Sequence, residues 1–214
     1  MFARLHRLRL LPPCTALATL VLASAVMAEE ASVGRVSKVE NAAEIVSSAG
    51  TVTALVGTEV HPLDELKTGA GARLQVIFAD ATVLTLGEHA SVTIDRYVYE
   101  PSAGVGDAAL KATAGAFRFA TGKIKALKEK SITVSTPVAQ IGVRGTEFWG
   151  GPTDEKFGVF LVEGEISVTN QAGSVVLSGA GQGTEIPSAS DAPGTPAIWP
   201  ADKVARAIAT VALH

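Results

Sequence analysis

The chain has 214 residues, a net charge of −3 and a single cysteine, Cys14. Apolar residues make up 47% of it, enough for one sizeable core, and one domain with a tail is the expectation. The mild acidity, with no arginine-rich face, excludes a binder of nucleic-acid phosphates, and one cysteine excludes a scaffold built on disulfides.

From the N-terminus, Arg4, Arg7 and Arg9 precede an apolar run from about Thr15 to Val26, which ends in Val26-Met27-Ala28 ahead of Glu29-Glu30. Basic, apolar, small and polar segments in that order predict a secretory signal over residues 1–28, cleaved after Ala28. The run of about 12 residues is shorter than the roughly 20 that cross a bilayer, and Pro12-Pro13 interrupts its front. No membrane span is therefore expected after removal, and the location implied is periplasmic or otherwise exported. Cys14 lies ahead of the apolar run, out of place for lipidation. Loss of the three arginines moves the net charge from −3 to −6.

Residues 29–42 read as a lead-in, and a β domain is expected over 43–186. There the apolar residues alternate with period two, as in Leu74-Gln75-Val76-Ile77-Phe78, Val83-Leu84-Thr85-Leu86 and Val92-Thr93-Ile94. Side chains alternate across a strand, so each such segment buries one face. Strands are predicted near 43–48, 51–56, 72–78, 82–86, 91–99, 109–114, 116–120, 131–135, 138–143, 146–149, 156–162, 165–170, 174–178 and 182–186. The breaks carry turn chemistry, for example Ser48-Ala49-Gly50 and Ala103-Gly104-Val105-Gly106-Asp107. The fold class is thus all-β: a sandwich or roll, or a short solenoid if the loosely similar stretches from Leu74, Phe160 and Ala43 are repeats. Residues 187–200, rich in Ser, Ala, Pro and Gly, predict a linker. Beyond it, Val204, Ile208 and Val211 share one face of a short amphipathic helix over 201–214, too short to stand alone. It is expected to dock on its own domain or on a partner.

The search for chemistry returns little. His61 and His89 have no metal-ligand spacing, Gly122-Lys123 lacks the rest of a phosphate loop, and no G-x-S-x-G elbow is present. No cofactor or metal is implied, and no acid, base and nucleophile set can be assembled, so the expectation is a protein that is not an enzyme. Asp64, Glu65, Asp80, Glu163 and Glu165 read as solvated turn or surface carboxylates. Lys123, Lys125, Lys128 and Lys130 either mark an anionic partner or, as the plainer reading, keep an exposed hairpin soluble.

One stretch stands out, Thr136-Pro137-Val138-Ala139-Gln140-Ile141-Gly142-Val143-Arg144-Gly145-Thr146-Glu147-Phe148-Trp149. Pro137 allows a strand to start, and Gly142 and Gly145 bracket an arginine in an apolar run. Arg144 is expected to fork onto a carboxylate or turn carbonyls and lock two strands, with direct ligand contact as the alternative. Thr136, Pro137, Arg144, Gly145, Thr146, Phe148 and Trp149 are the candidate binding residues, and Asp80 and Gly164 the candidate turn residues.

Together with Leu63…Leu66-Lys67-Thr68-Gly69, the alternation from Leu74 to Leu86 through Asp80, and Val162-Glu163-Gly164-Glu165-Ile166, this stretch resembles the FecR domain from about Leu55 to Ile186. The resemblance implies a β-rich periplasmic domain; named members are inner-membrane regulators of sigma factors that sense ferric-siderophore uptake. Two departures matter. Asp80-Ala81 stands where the family has Asp-Gly, which suggests a turn without positive φ at the second position. Those regulators also carry a cytoplasmic segment ahead of a membrane helix, where this chain shows only a signal, so it is not expected to bind a cytoplasmic sigma factor by itself. The reading is an exported FecR-like interaction module in envelope signalling or assembly, with an envelope protein as partner. The alternatives are a cell-wall or glycan binder, stacking sugars on Trp149, Tyr97 or Tyr99, and self-cleavage at Gly145-Thr146, which the resemblance to processed regulators suggests.

Overall fold

The computed structural model describes residues 31–154 and 156–214; the expected signal, residues 1–28, lies outside them. In chain order the strands are β1 (Gly34–Glu40), β2 (Ala43–Ser47), β3 (Gly50–Thr53), β4 (Glu59–Val60), β5 (Glu65–Thr68), β6 (Arg73–Phe78), β7 (Val83–Leu86) and β8 (Ser91–Glu100). They continue with β9 (Val105–Ala114), β10 (Phe117–Ala120), β11 (Glu129–Ser135), β12 (Gln140–Thr153), β13 (Lys156–Asn170), β14 (Gly173–Leu177), β15 (Gln182–Ile186) and β16 (Ala197–Ile198). A 3-10 turn covers Lys123–Ala126, and one helix, α1, covers Ala201–Ala209.

These strands form a single hydrogen-bonded sheet, and the two longest explain how it folds on itself. One edge of β12 pairs first with β11, at Gln140–Gly142, and then with β10, at Glu147–Gly150. Its other edge follows β13, whose far side divides between β14, at Ile166–Asn170, and β15, at Phe157–Phe160. The hairpin therefore belongs to two wings, with β3-β2-β5-β8-β9-β11 on one side and β4-β1-β6-β7-β10 on the other. Every pairing is antiparallel except β9 with β11, so the architecture is a curled roll rather than a parallel solenoid. The wings close over one apolar core, where Phe78 of β6 stacks on Tyr97 of β8 with ring centroids 4.2 Å apart.

Three departures from the sequence expectation have physical causes. The lead-in contains β1, whose Val36 is buried; a register shift between Val36 and Lys38 breaks the period-two pattern. The pairs of strands expected at 138–143 and 146–149, and at 156–162 and 165–170, are continuous strands interrupted only by a bulge. Residues 187–200 have linker composition, yet they lie on the sheet. Ala197–Ile198 pair with β15, Thr184 Oγ1 donates to Gly194 O at 2.6 Å, and Trp199 is buried.

Trp199 fits because Gly158 and Gly183 leave room for its ring: a Cβ on Gly183 would stand 2.3 Å from the indole. The indole stacks on Phe160, meets Trp149 edge-on and carries the Lys203 ammonium over its face at 4.2 Å. The helix then follows in cis. Trp149 Nε1–H donates to Thr210 Oγ1 at 3.0 Å, and Ala207 and Val211 complete a small second core outside the sheet.

This strap has a pH-dependent clasp. Lys203 Nζ donates to Glu185 at 2.7 Å, and that bond, assisted by Thr153, holds the Glu185 carboxyl below its ordinary range against the opposing effect of burial. A depressed folded pKa means the clasp is fully present above the unfolded glutamate value of about 4.3 and is lost as pH falls through the lower folded value. The two tryptophans of the chain, Trp149 and Trp199, both sit under the strap, so their fluorescence reports on it. Acid titration is expected to shift their emission to the red below about pH 4.3, and Glu185→Gln to remove that component; an identical titration in the variant refutes the clasp.

Candidate functional site

Of the residues singled out by sequence, Arg144, Gly145, Thr146 and Gly164 lie together at one crossing of β12 and β13, while Thr136 and Pro137 lie apart in the β11–β12 turn. β12 turns between Arg144 and Glu147, where its register against β13 shifts, and two glycines make the turn possible. Gly145 has φ +64° and Gly164, facing it from β13, has φ +89°. A Cβ on Gly164 would lie 2.6 Å from Gly145 O and 2.9 Å from Thr146 Cα, so the two backbones approach closer than a side chain permits.

Thr146, buried within this crossing, restores the hydrogen bonds that the bulge interrupts. Its hydroxyl donates to Glu165 O at 2.7 Å and accepts Glu165 N–H at 3.2 Å. Its backbone N–H donates to Thr121 Oγ1 at 3.1 Å, and its carbonyl accepts from the Thr121 hydroxyl at 2.8 Å. Thr136 plays a similar role in the β11–β12 turn, donating to Ala139 O at 2.8 Å and accepting Ala139 N–H at 3.0 Å around the exposed Pro137. Among the described residues neither hydroxyl is hydrogen-bonded to a histidine, lysine or carboxylate side chain.

Arg144 reaches a carboxylate across the hairpin, Glu165 at 3.0 Å, but through one nitrogen rather than a fork, and its side chain is 80% exposed. Arg118 and Glu147 form a second ion pair nearby across β10 and β12. Exposed pairs of this kind contribute about 0–1 kcal/mol. They do not lock the strands; the glycine crossing and Thr146 do that, leaving the charges on display.

Phe148 and Trp149 point to opposite faces, as neighbours on a strand must. Phe148 is fully buried in the main core and meets Phe117 edge-on at 5.8 Å. Trp149 is fully buried under the strap, Tyr97 is buried beside Phe78, and Tyr99 is half-buried, so the sugar-stacking surface expected at these residues is not there.

Asp80 departs most from expectation. Its carboxylate is fully buried, and it accepts four hydrogen bonds: from Tyr97 O–H at 2.7 Å and Thr82 N–H at 2.9 Å on Oδ1, and from Thr82 Oγ1–H at 2.7 Å and Ile124 N–H at 3.0 Å on Oδ2. Burial, and then the bond to Asp80, push the Tyr97 hydroxyl far above the ordinary phenol range. Ala81, next in the turn, adopts φ +67° after all, supported by its N–H bond to Phe78 O. The backbone of the 3-10 turn is fastened to the same place: Gly122 N–H donates to Thr82 Oγ1 and Lys123 N–H to Asp80 O, both at 2.8 Å. Asp64 is buried too, accepting His61 N–H at 2.8 Å. Thr82, Thr121 and Arg118 were not legible as site residues, and Tyr97, read as a sugar-stacking candidate, is instead a donor to Asp80. Only Thr82, two residues after an aspartate, carried a local signal, that of an Asx-type turn.

Among the described residues no group of three or more His, Cys, Asp or Glu is placed to hold a metal ion, and no helix is long and apolar enough to cross a membrane. A family model described as FecR protein matches residues 64–167, a span that contains every candidate binding and turn residue and ends before the strap. No curated protein matches the chain. Two crystal structures, at 1.65 and 2.50 Å resolution, of a candidate anti-sigma factor from Parabacteroides distasonis ATCC 8503 share the fold. Each is 20% identical with a TM-score of 0.50, over 66% of this chain and 62% of that one.

Proposed function

Because the chain carries a FecR domain, we propose that it is an exported protein-interaction module of envelope signalling or assembly, acting without catalysis on a protein partner. The observation that carries this reading is the corner of β12 and β13. Its hydroxyls and glycines are consumed in holding the backbone, while Arg144 and Glu165 stand outward on a rigid base. Such a surface can present a charged pattern to another protein, and backbone fixed in advance lowers the entropy lost on binding. The candidate anti-sigma factor that shares the fold supports a signalling context, with the partner itself to be found in the envelope.

The experiment is crosslinking of the exported protein in intact cells, followed by its recovery. The wild type is expected to yield a reproducible envelope protein, and the double charge reversal Arg144→Glu/Glu165→Arg to lose it with the fold intact. Loss of neither, or capture of none, refutes the reading. Intact mass on the same sample tests the absence of chemistry: the Thr146 hydroxyl donates to a carbonyl, so the Gly145-Thr146 bond is expected to be uncut.

A further inference from the structure

We infer that the lysine corner that follows β10 is an electrostatic docking surface for an anionic phospholipid membrane. Lys123, Lys125, Lys128 and Lys130 fall within eight residues, against one carboxylate, Glu129. All four are exposed, and among the described residues none lies within ion-pair distance of a carboxylate; Lys130 Nζ reaches only Leu127 O, at 2.9 Å. Four like charges left unpaired in a chain that is acidic overall are not required for solubility, and they repel one another.

The structure nevertheless holds them together. Ile124 is fully buried as the anchor, its N–H on Asp80, and the Gly122 and Lys123 N–H groups are fastened to the Asp80–Thr82 turn. Gly122 has no room for a side chain, since a Cβ would lie 2.3 Å from Thr82 N. Leu127 is half-buried and the residues around it are exposed, so the segment projects as a corner on a fixed base.

Lysines are compact point charges on flexible stems, and a projecting corner without a carboxylate-matching fork suits a plane of phosphate headgroups better than a single shaped acidic site. The patch has no exposed aromatic residue to insert into a bilayer. Binding is therefore electrostatic, reversible and salt-sensitive.

The test is sedimentation with vesicles of phosphatidylglycerol and phosphatidylcholine in equal parts, beside vesicles of phosphatidylcholine alone. Arg4, Arg7, Arg9 and the apolar run behind them would bind vesicles unaided, so the protein is produced from Glu29 onward, which retains every strand and the helix. Binding to the anionic vesicles is expected at about 0.05 M salt and its loss at about 0.5 M. Changing all four lysines to glutamate is expected to weaken it by on the order of 1,000-fold or more, with the thermal midpoint retained. Reversal of Lys38, Lys67 and Lys111 as a control is expected to leave it within a few-fold. Equal binding to both vesicles, unchanged binding by the lysine variant, or binding of poly-glutamate in place of anionic vesicles overturns the inference.

Discussion

Replacing Asp80 with alanine is expected to lower stability by roughly 3–5 kcal/mol, read as the shift of the urea midpoint at constant slope. The change leaves four donors without an acceptor inside the core: the Tyr97 and Thr82 hydroxyls and the N–H groups of Thr82 and Ile124. Thr82 Oγ1 and Tyr97 O–H can turn toward other oxygens, but the two backbone groups cannot. Asp80→Asn is the sharper variant, because it keeps the shape. Its carbonyl can serve Tyr97 and Thr82 N–H, whereas its amide then faces Ile124 N–H, donor against donor, for a cost of about 2 kcal/mol. Tyr97→Phe removes only one of the four bonds and is expected to cost about 1 kcal/mol. A ranking in which Asp80→Asn is harmless would show that the Ile124 bond contributes nothing.

The same variants separate stability from surface. Asp80 joins the turn after β6 to the 3-10 turn that displays Lys123 and Lys125, so Asp80→Asn loosens the base of that corner without removing a charge. Tyr97→Phe acts on the opposite side of the carboxylate. Where both remain folded, only the first should increase hydrogen exchange at Ile124.

What the sequence disclosed and what it concealed follow one division, between local and distant partners. The alternation from Leu74 to Leu86 was legible as β6 and β7 because one face of each is buried, and the apolar stripe Val204, Ile208 and Val211 was legible as a helix. The value of Asp80 was not, since two of its donors arrive from 17 and 44 residues away and nothing near it announces them. Trp199 was hidden by the prolines and serines around it, and its slot is made by Gly158 and Gly183, residues that look like ordinary turn or strand glycines. Within the stretch from Thr136 to Trp149 the residues take parts other than those expected of them. Arg144 was expected to lock strands and is displayed instead, while Thr146, noticed as a possible nucleophile, does the locking. Trp149, a candidate binding residue, is covered by a segment 50 and more residues later in the chain, a contact no local pattern contains.

The second large effect is expected at the glycine crossing, where two substitutions of the same kind should differ sharply. Gly145→Ala places a methyl group at φ +64°, in the left-handed region, with Lys125 Cβ at an ordinary 3.5 Å. The cost is conformational alone, about 1 kcal/mol. Gly164→Ala, at φ +89°, adds a collision with Gly145 O at 2.6 Å and Thr146 Cα at 2.9 Å, both on backbone that cannot swing aside. The strands must separate, and with them the bonds of the Thr146 hydroxyl to Glu165, for roughly 3 kcal/mol or more. Paired urea titrations measure the difference, and equal costs at the two positions would mean that the crossing relaxes freely. The contrast also bears on binding. Arg144 and Glu165 flank the crossing, so a partner that reads their spacing should tolerate Gly145→Ala and lose affinity with Gly164→Ala even where that variant is folded. A partner captured equally by both docks away from this corner.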